Sequence, residues 1–78
     1  MEIKVSFKQT VSSVFKVYVN NTLHLFIRQK ELNGFESWIE TENKFVIQFN
    51  FKNGEVMLSE YDNKNIWQEI LKNLDNII

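Results

Sequence analysis

The hydrophobic period of this chain changes once. As far as Tyr61 the apolar residues recur at every second position in short runs, and beyond Asn63 they recur every third or fourth. A period of two places alternate side chains on opposite faces of a strand. A period of 3.6 lines one face of a helix. The chain therefore reads as strands first and one helix last. That order lacks the strand–helix–strand alternation that builds a parallel sheet.

The runs can be bounded. Ile3, Val5 and Phe7 predict a strand over about 2–8, and residues 9–13 read as a turn. Phe15, Val17 and Val19 give a strand over 14–20; Leu23, Leu25 and Ile27 give one over 23–29. A two-residue Asn20-Asn21 loop would set Val17 opposite His24, apolar against polar. A three-residue loop over 20–22 sets Val19 opposite Leu23, Val17 opposite Leu25 and Phe15 opposite Ile27. The buried face selects the second register, and Asn accepts the positive φ that such a loop needs.

Residues 30–34 read as a turn in which Gly34 supplies conformational freedom. Strands follow over 35–40, 44–52 and 55–61. A three-residue loop over Thr41-Glu42-Asn43 pairs Ile39 with Phe45 and Phe35 with Phe49. Asn53-Gly54 is the favoured type I′ hairpin dipeptide, and its two-residue loop pairs Phe51 with Val56 and Phe49 with Leu58. Asp62 or Asn63 caps a helix over about 63–77. Ile66, Trp67, Ile70, Leu71, Leu74, Ile77 and Ile78 form its apolar stripe. The expected fold is α+β: an antiparallel six-strand meander, strongly bent or partly open as a barrel, followed by one C-terminal helix anchored by Trp67. Residues 1–78 read as a single domain, because 78 residues cannot bury two cores. In architecture this resembles pleckstrin-homology-like barrels, although the chain is shorter and has one strand fewer. No residue carries the resemblance, so no binding site comes with it.

Composition narrows the chemistry. A hydrophobic fraction of 44% with a net charge of -1 excludes intrinsic disorder. The absence of Cys removes disulfides, thiolate nucleophiles and iron–sulfur sites. The N-terminal residues alternate instead of forming the apolar run of a signal sequence, and no stretch suits a membrane span, so a cytoplasmic protein is expected. Abundant Asn, Ile and Lys without Ala or Pro fit A/T-rich coding, as in a low-GC bacterium or its phage.

Catalysis is not expected, and neither is a cofactor. His24 is the only histidine. Glu36 and Glu40 read as a solvated strand edge, and no glycine-rich phosphate loop or metal-ligand cluster exists. The helix's polar face mixes Lys64 and Lys72 with Glu69 and Asp75, unlike the lysine-rich face of a membrane-surface helix.

Interaction is the expected role. The registers above place Val14, Lys16, Tyr18, His24, Phe26, Arg28, Glu36, Trp38, Val46, Gln48, Met57, Ser59 and Tyr61 on one outer face. Aromatic patches mark partner surfaces, and a second copy is the commonest partner. Trp38, Tyr61, Tyr18, Phe26 and Met57 are therefore the candidate partner-binding residues, in a protein expected to self-associate. The alternative is weak binding of single-stranded nucleic acid or another anionic ligand. There Tyr18 and Phe26 would stack bases while Lys16 and Arg28 meet phosphates. Glu36 on the same face and the slightly acidic chain weigh against it.

Overall fold

The computed structural model describes residues 3–10 and 13–77. The strands are β1 (Val5–Gln9), β2 (Val14–Val19), β3 (Thr22–Arg28), β4 (Leu32–Thr41), β5 (Lys44–Phe51) and β6 (Val56–Tyr61), and the helix α1 spans Lys64–Ile77. All strand pairing is antiparallel, so the α+β class and element order are as the sequence implies. Glu2, Val11, Ser12 and Ile78, assigned by the sequence to a strand, a turn and the helix stripe, lie outside the described residues. The single bent sheet is replaced by two three-stranded meanders, β1-β2-β3 and β4-β5-β6, and among the described residues no ladder closes them into a barrel. A 3-10 turn at Gln29–Glu31 joins them, so the turn expected over 30–34 ends early and β4 starts at Leu32.

The hairpin turns after β2, β4 and β5 all differ from those expected, and one of them changes the register of the core residues. Asn20 and Asn21 both have positive φ, 51° and 66°, and form a two-residue loop with Val19 opposite Thr22. A bulge then inserts His24, and beyond it Val17 faces Leu25 and Phe15 faces Ile27. The local turn preference and the buried face demand different registers, and one extra residue satisfies both. Leu23 lies on the turn side of the bulge, opposite Tyr18, and is exposed. The β4–β5 hairpin uses the same device. Thr41 faces Lys44 across a two-residue loop, an irregularity follows, and Ile39 then faces Phe45 as expected. Ile39 nevertheless remains exposed near the hairpin end.

The β5–β6 turn changes the outcome most. Gly54 adopts φ 90° and donates its N–H to the Phe51 carbonyl at 3.0 Å, while the Phe51 N–H meets the Glu55 carbonyl at 2.9 Å. This is a three-residue loop ending in a left-handed glycine, not the type I′ pair. Phe49 therefore faces Met57 and Phe45 faces Tyr61. A one-residue slip turns the whole strand over. Val56 and Leu58 move outward, 59% and 54% exposed, and Tyr61 moves into the core at 8%.

The core joins Phe15, Val17 and Ile27 of the first sheet to Phe45, Ile47 and Phe49 of the second through Trp67, Ile70 and Leu74 of α1. Asn63 caps the helix, its Oδ1 accepting from the N–H groups of Asn65 and Ile66 at 2.9 and 3.1 Å. The Trp67 ring lies 5.3 Å from that of Phe45, and its indole N–H donates to the buried Val46 carbonyl at 3.0 Å. Gln29 donates to the carbonyl of Ile77, tying the inter-sheet turn to the end of the helix. Trp67→Ala, by chemical denaturation, should lose about 3–5 kcal/mol of stability through the cavity and the orphaned carbonyl. An unchanged midpoint would refute this docking of the helix.

The bulge also brings His24 against the second sheet, its Nε2 2.7 Å from the Tyr61 hydroxyl. Ser59 donates its own hydroxyl to the same oxygen at 2.6 Å, which leaves the tyrosine proton for a neutral imidazole. Burial holds the His24 imidazole below its ordinary value. The unfolded chain therefore binds the proton more readily. This contribution is complete above about pH 6.5 and fades as pH falls toward the lower folded value. The stability of the wild type relative to His24→Gln should thus decline between pH 7.5 and pH 5. A pH-independent difference would contradict the assignment.

Candidate functional site

The five residues expected to form one partner patch do not meet. Tyr61 is buried in the core, with its hydroxyl raised above the usual tyrosine range by burial against the opposing Ser59 hydrogen bond. Met57 faces inward beside Phe49, at the open margin between the sheets. Trp38 stands on the outer face of the second sheet opposite Val46. Tyr18 and Phe26 stand on the outer face of the first.

Separation into two sheets also separates the charges. Glu36 belongs to the second sheet, where its carboxylate accepts from Gln48 at 3.1 Å. Lys44 is held by Glu40 at 3.0 Å and Glu60 at 3.2 Å, which together raise its ammonium above the usual lysine range. The second sheet's outer face is therefore acidic and amide-rich, with Trp38, Val56 and Leu58 beside it.

The first sheet carries the opposite sign. Val5, Phe7, Phe15 and Val17 turn inward, so the alternating Lys8, Lys16, Tyr18, Phe26 and Arg28 turn outward. Lys8 stands directly opposite Lys16. Like charges in that position destabilise a sheet. The two ammonium groups lie over neighbouring rings, Lys8 5.2 Å from the centre of Tyr18 and Lys16 5.9 Å from that of Phe26. No carboxylate interrupts β1, β2 or β3.

Lys16, Tyr18, Phe26 and Arg28 are thus brought to one face, as the nucleic-acid alternative requires, and Lys8 joins them. The sequence held a signal for this that hydrophobic periodicity does not read. Of the ten acidic side chains all but Glu2 lie at or beyond Glu31, whereas five of the nine cations lie between Lys4 and Lys30.

A cleft of about 520 Å³ adjoins this face, lined by Phe26, Arg28, Lys30 and Glu31 from β3 and the 3-10 turn and by Phe51, Lys52, Asn53, Glu55 and Met57 from the β5–β6 hairpin. The Lys52 N–H donates to the Glu31 carbonyl at 2.8 Å, fixing the β5–β6 turn to the 3-10 turn across it. Among the described residues, no group of three or more His, Cys, Asp or Glu side chains is placed to hold a metal ion, and no helix is long and apolar enough to cross a membrane. No protein-family model, curated protein or solved structure matches this chain, so its reading rests on these residues alone.

Proposed function

We propose that the chain is a non-enzymatic binding module whose first sheet takes single-stranded nucleic acid on its basic, aromatic outer face. The observation that carries this reading is the opposed Lys8–Lys16 pair on strands that hold no carboxylate, Glu31 meeting Arg28 only from the turn beyond β3. A sheet selected only for stability would place opposite charges there. An incoming phosphate backbone relieves the repulsion. Tyr18 and Phe26 lie between the cations at positions where unpaired bases can stack, a mode that tolerates any base sequence.

The number of cations sets the expected behaviour. Three or four phosphate contacts on a single strand imply that affinity for an oligothymidylate falls about 20- to 50-fold between 50 and 200 mM salt. Lys8→Glu should act in opposite directions on two measurements. It should weaken binding by more than tenfold, and it should raise stability by about 0.2–1 kcal/mol by replacing a like-charge pair with an attractive one. Salt-independent binding, or a Lys8→Glu variant that binds like the parent, would contradict the proposal.

Self-association is a second reading, favoured by the exposed Val56, Leu58 and Trp38 on the second sheet. A small domain gains by burying such surface. Light scattering should then find twice the chain mass of 9.4 kDa, persisting in high salt and lost in Trp38→Ala. A monomer at all concentrations would remove this reading and leave the first untouched.

A further inference from the structure

The cleft beside the basic face combines three features. It is concave and within the usual size range of small-molecule sites. Its apolar lining, Phe26, Phe51 and Met57, comes from three different strands. Its cations come from β3, the 3-10 turn and the β5–β6 loop. Arg28 is engaged by Glu31 at 3.5 Å, in a pair open to solvent. Lys30 and Lys52 have no carboxylate partner among the described residues. Phe26 belongs both to the cleft and to the binding face, where Lys16 lies over its ring. The left-handed Gly54 matters here as well, because the register it imposes is what turns Met57 inward to the cleft.

Glu31 and Glu55 also line the cleft, so it is no simple trap for anions. Its chemistry fits a ligand with a flat apolar ring, N–H groups that a carboxylate can accept from, and a nearby phosphate. A nucleotide has all three. A strand lying on the basic face passes Phe26, and there a base can leave the line of stacked neighbours.

We propose that the cleft receives one splayed nucleotide of the bound strand, its base against Phe26 and Met57 and its phosphate held by Lys30 and Lys52. This rests on the strand-binding reading above and adds a prediction of its own: the protein distinguishes a strand with bases from an abasic strand of equal charge, and does so chiefly through the cleft.

The test compares a twelve-nucleotide oligothymidylate with an abasic phosphodiester of the same length at 50 mM salt. It uses the full chain and the variants Met57→Ser, Tyr18→Ser and Lys52→Gln, with folding checked by circular dichroism. The wild type should prefer the base-bearing strand by more than about tenfold, the scale of one stacked base, because the open face and the cleft both contribute. Met57→Ser should lower that preference at least about fivefold while binding of the abasic strand persists. Tyr18→Ser, on the open face, should lower it less than Met57→Ser does. Lys52→Gln, in an exposed loop that tolerates substitution, should weaken both strands and guards against misfolding of the Met57 variant. A preference that survives Met57→Ser and disappears in Tyr18→Ser would overturn the cleft assignment and leave strand binding standing. Equal affinity of the wild type for both strands would also overturn it. Failure to bind either strand would remove both readings together.

Discussion

Trp67 is the contact on which the arrangement of this small protein depends. Its ring packs on Phe45 and its indole N–H satisfies the Val46 carbonyl, so one side chain contributes both apolar burial and a buried hydrogen bond. Ile70 and Leu74 continue the same helix face into a core shared by both sheets. Because no ladder joins β3 to β4, the helix, the 3-10 turn and the His24–Tyr61 contact have to do what continuous strand pairing does in a barrel. The inner faces of the two sheets are occupied in this way. Their outer faces are then free to differ, and they carry opposite charge.

Much of the fold was legible in the sequence because hydrophobic period survives local irregularity. The six strands, the helix from Asn63 and the pairing of Val17 with Leu25 and Ile39 with Phe45 all follow from the buried face. Turn geometry was less legible. Asn20-Asn21 and Asn53-Gly54 are both strong hairpin signals, yet the first forms the two-residue loop and the second does not. A bulge at His24 lets the first loop coexist with the core register, whereas at Gly54 the loop itself widens and the strand turns over. Pattern alone does not separate these cases, because the row Val56, Leu58 and Glu60 and the row Met57, Ser59 and Tyr61 each carry two largely apolar side chains and one polar one. The difference lies in which row fits beneath the helix and against the first sheet.

The candidate site was legible only in part for the same reason. Lys16, Phe26 and Arg28 share a face because β2 and β3 keep the expected register there, and Tyr18 stays on that face although the bulge sets Leu23 opposite it in place of His24. Tyr61 and Met57 left the expected patch with the slip of β6, and Glu36 left it when the single sheet became two. The last change reverses the electrostatic argument. A carboxylate among the cations opposes a phosphate backbone, and one on a separate sheet opposes it far less through screened solvent. A net charge of -1 conceals this, because it sums two halves of opposite sign.

The central claim is that the two outer faces differ in function, the first sheet engaging a strand and the second not. Amide chemical-shift mapping tests it most directly, with a uniformly labelled chain titrated by oligothymidylate at low salt. The account predicts shifts along β1, β2 and β3 and around Phe26, Lys52 and Met57, with Trp38, Val46 and Leu58 unmoved. Shifts concentrated on the second sheet, or none at all at 50 mM salt, would contradict it.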